Sequence, residues 1–252
     1  MKVTLLGTGT SSGVPLLGCH CEVCRSSDLR DHRLRSCILV QTEGKTILID
    51  SGPDIREQLL RQNFVPIDAV LVTHEHYDHV GGLDDLRPYC QFGALHIYGE
   101  SLCMKHIRER MSYCFGDSKY PSSPTLVLHD IKPLSPFRIS LLRILPLRVM
   151  HGEMPILGYR IGRFAYITDM KSMPDASFEA LRGIECLVIN GLRHTCHETH
   201  QTIEESVKFI ERLGVRRAYL THLAHSAGLH SESGKYLPAY ISFGYDGEII
   251  EV

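Results

Sequence analysis

The stretch Thr73-His74-Glu75-His76-Tyr77-Asp78-His79 is the most informative feature of this chain, and it directly follows an apolar run over residues 69–72. It holds four potential metal ligands within six residues, namely His74, His76, Asp78 and His79. Imidazole and carboxylate groups suit zinc, iron or manganese. Because one ion rarely takes four ligands this close together along the chain, the stretch predicts two adjacent ions at the end of a strand. A solvated histidine-rich loop is the alternative interpretation.

Length and composition are those of an ordinary globular protein. The chain has 252 residues, of which 43% are hydrophobic and 22% charged, as in typical globular domains. A net charge of -2 provides no broad basic surface for nucleic acid or membranes. The N-terminus lacks the regions of a signal peptide, and no apolar run approaches membrane-spanning length. We therefore expect a cytoplasmic protein with no membrane or nucleic-acid partner.

Hydrophobic periodicity predicts an α/β alternation within one domain over residues 1–252. The predicted strands cover residues 2–6, 36–42, 45–50, 68–72, 137–149, 156–161, 164–168, 186–189 and 217–220. The predicted helices cover residues 54–63, 100–113, 177–181 and 202–213, and a loop is expected over 115–124. Asp54 is a candidate cap for the first of these helices.

One pattern occurs twice along the chain. A strand ending in Asp50 precedes a helix and a strand ending in Thr73-His74, and a strand ending in Asp169 precedes a helix and a strand ending in Thr221-His222. The repetition predicts two similar halves packed sheet on sheet, with helices outside and strand ends converging on one edge.

Three further ligand-type residues each follow a predicted buried strand: His151, Asp169 and His222. One such residue alone is more often a capping or solvated group. Three of them, together with the Thr73–His79 stretch, favour one shared metal centre.

These residues make the chain resemble the metallo-β-lactamase superfamily of metal-dependent hydrolases. Asp50-Ser51-Gly52, the Thr73–His79 stretch and the three strand-end residues occur in that family's order. The resemblance implies a four-layer αββα sandwich, and it implies that Asp50 supports the ligand loop without binding metal itself. The implied ligands are His74, His76 and His151 for one ion and Asp78, His79 and His222 for the other, with Asp169 bridging both.

A second metal site is predicted from the loop Gly18-Cys19-His20-Cys21-Glu22-Val23-Cys24. Three thiols at this spacing suit one tetrahedral zinc ion, which needs a fourth ligand from elsewhere. His225, three residues after His222, is the candidate, and His20 is a local competitor in an awkward position between two ligands. A redox-active cysteine pair is the rival interpretation.

The cysteine loop and Thr221-His222-Leu223-Ala224-His225 together resemble the PhnP family of phosphodiesterases, which act on phosphoribosyl cyclic phosphate. The resemblance implies a structural zinc ion held by Cys19, Cys21, Cys24 and His225, two active-site ions that are manganese or zinc, and a homodimer. The PqqB family of pyrroloquinoline-quinone biosynthesis has a similar cysteine loop but departs from the full hydrolase ligand set, which this chain keeps. Asn190-Gly191-Leu192-Arg193 departs from the Asp-containing stretch expected in the PhnP family.

Phosphodiester cleavage also needs a general acid for the leaving oxygen. The segment Arg193-His194-Thr195-Cys196-His197-Glu198-Thr199-His200 precedes the helix predicted from residue 202. In the PhnP family a histidine just before this helix has that role. His200 fits best, and His197 and His194 remain alternatives.

We therefore predict a dinuclear metal-dependent hydrolase that cleaves a cyclic phosphodiester, with phosphoribosyl cyclic phosphate as the most specific expectation. The resemblance implies that a hydroxide bridging the two ions attacks phosphorus, that Asp169 holds the ions, and that His200 protonates the leaving oxygen. One alternative is a tRNase Z-like RNA phosphodiesterase, which would require a large basic insertion. The other is a PqqB-like protein of cofactor biosynthesis or binding. We assign no residue to an organic cofactor.

Overall fold

Two seven-stranded sheets form the centre of the protein in a computed structural model that describes residues 1–116 and 122–252. The first sheet is built from β1 (Lys2–Gly7), β2 (Cys37–Thr42), β3 (Lys45–Ile49), β4 (Ala69–Leu71), β5 (Leu95–Gly99), β6 (Leu126–Asp130) and the last strand, β14 (Ile249–Glu251). Their spatial order is β14-β1-β2-β3-β4-β5-β6. The pairs β3–β4, β4–β5 and β5–β6 are parallel, whereas the pairs β14–β1, β1–β2 and β2–β3 are antiparallel.

The second sheet repeats this arrangement. It is built from β7 (Phe137–Ile139), β8 (Leu142–His151), β9 (Met154–Ile161), β10 (Phe164–Ile167), β11 (Cys186–Asn190), β12 (Arg217–Thr221) and β13 (Ile241–Phe243). The spatial order is β13-β12-β11-β10-β9-β8-β7. Strands β10 to β13 are parallel and β7 to β10 antiparallel, so each half has a parallel part whose strand ends reach one edge.

Five α-helices lie outside the sheets in the described part of the chain. They are α1 (Ile55–Leu60), α2 (Tyr77–Val80), α3 (Ser101–Arg110), α4 (Asp175–Glu179) and α5 (Ile203–Leu213). A 3-10 helix over Leu83–Phe92 packs beside α1. Among the described residues, no helix has the length and apolar character needed to cross a membrane.

Side chains that alternate between the two faces of each strand pack the sheets into four layers. On β3, Ile47 and Ile49 face the core between the two sheets, while Leu48 faces the core under the helices of the first half. On β10, Tyr166 belongs to the inter-sheet core and Ala165 to the core under α4 and α5. Because successive side chains on a strand point to opposite faces, each sheet is apolar on both sides. The predicted α/β sandwich with helix, sheet, sheet and helix layers is confirmed.

Several predicted boundaries differ from the structure. The strand predicted over 137–149 is two strands, because the chain turns at Ser140, whose φ is 55°. The helix predicted over 54–63 ends at Leu60, and Asp54 does not cap it, since its carboxylate accepts hydrogen bonds from the backbone N–H and Nη1 of Arg35 at 2.8 Å each. The loop predicted over 115–124 includes residues 117–121, which lie outside the described residues.

Helix α5 has strong signals at both ends, and its predicted bounds hold. The Thr202 hydroxyl accepts a hydrogen bond from the Glu205 backbone N–H, and the Glu205 carboxylate accepts one from the Thr202 N–H. This reciprocal capping box satisfies donors that the helix itself leaves free. Gly214 ends the helix in the left-handed conformation, at φ 71°. The start of α5 therefore fixes the end of the histidine-rich segment that precedes it.

Candidate metal centres

The predicted site residues come together where strand ends of both sheets meet. Asp50 follows β3, His151 is the last residue of β8, Asp169 lies just beyond β10, and His222 follows β12. Asp50, Asp169 and His222 all adopt positive φ, at 65°, 55° and 54°. Such values are costly for residues other than glycine and cluster at functional sites. At Asp50 and Asp169 the pattern repeated in the sequence thus corresponds to a repeated backbone turn; His222 adopts the same conformation, whereas its counterpart His74 does not.

One group of four buried ligand atoms is fully assembled. Asp78, His79, Asp169 and His222 place their ligand atoms within 4.8 Å of one another. Nε2 of His79 lies 3.1 Å from Oδ2 of Asp78 and 3.3 Å from Oδ2 of Asp169, and Nε2 of His222 lies 3.2 Å from Oδ1 of Asp169. These are the residues predicted to hold the second ion together with the bridging carboxylate.

The environment of His79 fits a bound cation. Its Nδ1 lies 2.7 Å from Oδ2 of Asp50, so the Nδ1–H is donated to that carboxylate. Its Nε2 faces two carboxylate oxygens, yet it is buried and makes no hydrogen bond to any group of the described chain. A nitrogen lone pair facing two carboxylates is repelled unless a cation lies between them. The donor set of imidazole and carboxylate groups suits a divalent ion.

Asp50, which the family resemblance implies as a supporting residue, contacts His79 and the start of the ligand loop. Its carboxylate accepts hydrogen bonds from the backbone N–H of Thr73 at 2.8 Å and from the Thr73 hydroxyl at 3.1 Å and 3.0 Å, besides the His79 bond. Such an arrangement fixes the ring orientation and tautomer of a metal-binding histidine. Burial raises the pKa of the Asp50 carboxyl, against the opposing effect of His79.

Charge is strongly coupled within the cluster. Burial alone would raise the pKa of Asp169, but His222 and His79 hold it well below its usual range. Burial lowers the pKa of His222 to about 4 and that of His74 well below the ordinary histidine value. Burial opposes charge on His79 as well, yet Asp169 and the other two nearby carboxylates raise its pKa well above the ordinary value. The site therefore favours positive charge among ionised carboxylates, which a metal cation provides.

The ligands predicted for the first ion lie beside this group but are less tightly gathered. Nε2 of His74 is 3.0 Å from Nδ1 of His76, and the rings of His76 and His151 are 5.3 Å apart. Nδ1 of His151 donates to the carbonyl oxygens of Asp169 at 2.9 Å and Thr199 at 3.1 Å. Because both partners are acceptors, Nδ1 carries the proton and Nε2 remains free to act as a ligand.

The three candidate acids have different positions. Nε2 of His200 lies 3.0 Å from Oδ1 of Asp169, and His200 forms a further group of ligand-type atoms with Asp169 and His151. His197 lies behind His200, with 3.2 Å between their Nδ1 atoms. His194 packs against Tyr236, with ring centroids 5.1 Å apart. Among these three histidines, only His200 reaches Asp169.

The cysteine loop forms the second predicted cluster. The three thiols and His225 place their ligand atoms within 4.8 Å of one another. Nδ1 of His225 lies 3.4 Å from Sγ of Cys19 and 3.3 Å from Sγ of Cys21. Tetrahedral zinc with bonds of about 2.3 Å to sulfur and about 2.0 Å to nitrogen would separate such ligands by roughly 3.5 Å. His20, the local competitor, is exposed.

Electrostatics in this loop favour a thiolate at one position. The hydrogen bond to His225, helped by the backbone N–H of Cys24, lowers the pKa of Cys21 to about 6. Burial raises the pKa of Cys24 to about 11. Backbone hydrogen bonds between Thr8 and Leu223 (2.8 Å) and between Thr10 and Leu223 (3.2 Å) join the N-terminal segment to the turn after His222. A metal in the cysteine loop would therefore stiffen the turn that carries His222.

Two polar residues that were not predicted from the sequence hold the candidate ligands in place. Asn190 accepts a hydrogen bond from the backbone N–H of Met170 at 2.7 Å and donates one to its carbonyl oxygen at 3.0 Å, which secures the turn at Asp169. The carbonyl oxygen of Thr199 holds His151, as described above. A polar residue ending the apolar run of β11 was the available signal for Asn190; no comparable signal marks Thr199.

Comparisons with known proteins agree with this geometry. The model for the beta-lactamase superfamily domain matches residues 45–223, more than half of the chain. The chain belongs to the beta-lactamase superfamily. The predicted family, fold and enzyme class are thereby confirmed as those of a metallo-β-lactamase-fold hydrolase with a histidine and aspartate cluster able to hold metal.

Three relatives illustrate the range of the superfamily. A crystal structure described as a new diphosphatase from the PhnP family is 39% identical, has a TM-score of 0.92, and matches 100% of this chain and 97% of its own. Zinc-bound PqqB from Methylobacterium extorquens has a TM-score of 0.82 with full coverage of both chains, but at 19% identity it supports the fold alone. A Porphyromonas gingivalis protein named octanoyltransferase is 49% identical over 98% of this chain. The chain spans about half of that relative, 51% of its length.

Proposed function

We propose that this superfamily member is a metal-dependent phosphodiesterase acting on a small cyclic phosphodiester of the phosphoribosyl cyclic phosphate class. The observation that carries the proposal is the buried group of Asp78, His79, Asp169 and His222, with His200 at its edge. The ligand set contains histidine and aspartate without cysteine, which favours phosphoester over β-lactam cleavage by family analogy. The likeness to a PhnP-family diphosphatase further supports cleavage of a phosphorus–oxygen bond.

The proposed ligands are His74, His76 and His151 for one ion, Asp78, His79 and His222 for the other, and Asp169 for both. When bound, two divalent ions lower the pKa of water and offset negative charge on a phosphoryl group. Asp50 holds His79 in one tautomer through its 2.7 Å hydrogen bond. His151 is held by two carbonyl oxygens. The protein thus orients its ligand nitrogens before any substrate arrives.

His200 is the proposed general acid. Its Nε2 faces the cluster at 3.0 Å from Asp169, so a leaving oxygen next to the cluster would lie within reach. The Nε2–H bond breaks as the O–H bond forms, and the electron pair of the broken P–O bond stays on the leaving oxygen. An alkoxide is a poor leaving group, and its protonation is therefore the part of the reaction that this side chain supplies.

A second candidate reaction is hydrolysis of a diphosphate bond. It is favoured by the name of the 39% identical PhnP-family structure, a diphosphatase. The same cluster would suit that bond, since charge also develops on phosphoryl oxygens. The leaving group would then be a phosphate, which needs less help from an acid than an alkoxide.

We do not extend the octanoyltransferase name to this chain. About half of that relative lies outside the match, since the chain covers 51% of it. Acyl transfer has no need for the histidine and aspartate cluster described above. We further propose that residues 1–252 form a single domain, that the protein is cytoplasmic, and that it forms a homodimer. Size-exclusion chromatography would check the homodimer.

A substrate panel with metal analysis tests the proposal. Purified protein would be assayed with phosphoribosyl cyclic phosphate, cyclic nucleotides, bis(p-nitrophenyl) phosphate, a nucleoside diphosphate, transfer RNA precursor and an octanoyl thioester. We expect two divalent ions besides one zinc ion, and preferred turnover of a cyclic diester. Cleavage of the RNA alone would instead support the tRNase Z-like alternative. Bound metal without turnover of any phosphoester would support the PqqB-like alternative.

A further inference from the structure

The segment before α5 places two polar groups behind His200. Nδ1 of His200 lies 3.0 Å from the Thr199 hydroxyl and 3.2 Å from Nδ1 of His197. The Thr199 hydroxyl also lies 3.3 Å from that His197 nitrogen. The three groups form a closed triangle on the side of the His200 ring that faces away from Asp169.

Proton positions in this triangle follow from one backbone bond. The Thr199 backbone N–H donates to Nδ1 of His197 at 3.3 Å, so this nitrogen carries a lone pair and no proton. A hydrogen bond between the two Nδ1 atoms therefore requires the proton to be on His200. Both neighbours can accept it, since the Thr199 hydroxyl also has lone pairs. His200 is therefore held with Nδ1–H toward His197 and Nε2 toward Asp169.

Ring packing alone would not select this orientation. The His200 ring stacks on His222 with centroids 5.0 Å apart and an interplanar angle of 19°, and it meets His151 edge to face at 4.6 Å. These contacts fix the plane of the ring but are nearly unchanged when the ring turns over. The hydrogen bonds distinguish the two orientations, because a turned ring would present carbon to His197 on one side and to Asp169 on the other.

The position of Thr199 is restricted by its contacts with Gly152 and His151. Gly152 has a φ of 62°, and a Cβ at that position would come within 3.0 Å of Cγ2 of Thr199. The carbonyl oxygen of Thr199 accepts the Nδ1–H of His151. One residue thereby sets the positions of a proposed ligand and of the proposed acid.

We infer that His197 is a positioning residue, which together with Thr199 fixes the orientation of His200 so that Nε2 faces the reacting phosphodiester. This inference rests on the proposed function. When Nε2 gives its proton to the leaving oxygen, His200 becomes neutral and keeps the Nδ1–H bond to His197 and Thr199. The His200 ring therefore keeps the same orientation from one catalytic cycle to the next. His197, an alternative acid on sequence grounds, acts in this arrangement through His200.

Kinetics with two leaving groups would test the inference. The substrates are phosphoribosyl cyclic phosphate, which releases an alkoxide, and bis(p-nitrophenyl) phosphate, whose nitrophenolate leaves without an acid. His197→Ala should lower kcat on the first by about 10- to 100-fold through misplacement of the acid, with little change in KM and in bound metal. The second substrate should be turned over at the wild-type rate.

His197→Asn, whose Oδ1 can replace Nδ1 as acceptor, should restore most of the loss. His32→Ala, at an exposed histidine outside the proposed site, is the matched control and should behave as the wild type.

Three results would overturn the inference. They are an equal loss of activity on both substrates, a loss of bound metal in His197→Ala, and a His197→Asn variant that is no more active than His197→Ala. Failure of the proposed function would look different, since the wild type itself would then turn over neither phosphodiester. In that case ¹⁵N NMR of the zinc-loaded full chain still decides. The Nδ1–H signal of His200, identified by its absence in His200→Ala, should be present in the wild type and lost in His197→Ala. Its persistence in His197→Ala would refute the inference.

Discussion

Among single residues, the side chains of the metal cluster interact electrostatically with several neighbours at once. Asp169 interacts with His79, His200 and His222 through its two carboxylate oxygens. Asp50 holds the far side of His79. Removal of one member therefore changes the environment of several others, and effects within this cluster should not be additive.

His200→Ala should lower turnover of an alkoxide-releasing phosphodiester by about 10²- to 10⁴-fold, the usual contribution of a general acid. Bound metal should stay unchanged, because His200 is proposed as an acid and not as a ligand. Steady-state kinetics and elemental analysis on the same preparation measure both quantities. Loss of metal in His200→Ala would instead make His200 a ligand, in keeping with its position beside His151 and Asp169.

At the scale of elements, the cysteine loop should show one reactive thiol in zinc-stripped protein. The pKa of Cys21 is lowered to about 6 and that of Cys24 is raised to about 11. Thiolate at Cys21 therefore forms as the pH rises through about 6, whereas Cys24 stays protonated at neutral pH. Iodoacetamide labelling followed by peptide mass spectrometry should give a midpoint near that pH for Cys21. His225→Ala should shift it toward about 8.5, the ordinary cysteine value.

The same loop provides a test of the zinc assignment. Cys21→Ser should lower zinc content and thermal stability before it alters the catalytic step, because folding and metal binding are coupled. Cys186→Ser is not an equivalent control, since Cys186 is buried in the core between the sheets. The exposed Cys196 is better suited, and Cys196→Ser should leave zinc content unchanged. Unchanged zinc stoichiometry in Cys21→Ser would contradict the assignment.

Helix α5 offers a test of local stability. Thr202→Ala removes the hydroxyl that accepts the Glu205 N–H, and it should destabilise the protein by about 1 kcal/mol, as is usual for a lost N-cap. Denaturant unfolding would measure the change, and the exposed Ser231→Ala serves as control. A Thr202→Ala variant as stable as the control would show that the capping box is replaced by water.

At the scale of the whole molecule, the proposed ions would join its two halves. Asp78 and His79 come from the first half, and Asp169 and His222 from the second. Direct hydrogen bonds also cross between the halves near the site, from the Leu157 N–H to the Thr73 carbonyl oxygen at 3.0 Å and from the Tyr159 hydroxyl to the Val72 carbonyl oxygen at 2.6 Å.

Adding Mn²⁺ or Zn²⁺ to metal-free protein should raise the unfolding temperature, since a ligand that binds only the folded state stabilises it by about 2.7 kcal/mol at a hundredfold excess over Kd. Differential scanning calorimetry measures this shift. Asp169→Ala should lose the active-site ions and with them most of the shift, whereas Asp130→Ala, an exposed carboxylate at the end of β6, should keep it. An Asp169→Ala variant that still responds fully would remove Asp169 from the ligand set.

Much of the fold was predictable because its signals are local. Strands β1, β2, β3, β9, β10 and β12 and helix α5 follow from apolar runs, turns and a capping box. Strands β5, β6, β13 and β14 were missed. They are short. Strand β5 does alternate buried Leu95 and Ile97 with half-buried His96 and Tyr98, as a strand does, but the run covers only five residues. Their places in the sheets depend on pairing with distant strands, which no local pattern specifies.

The family and the candidate metal ligands were predictable from the sequence alone, since the histidines, aspartates and cysteines occur at spacings and strand ends that suit metal binding. The three-dimensional packing, by contrast, establishes which histidine faces Asp169, what holds that histidine there, and that Asn190 secures the turn at Asp169. Those relations join residues through ring orientation and backbone hydrogen bonds. Such geometry arises when separate strands are packed together, and residue spacing along the chain does not encode it.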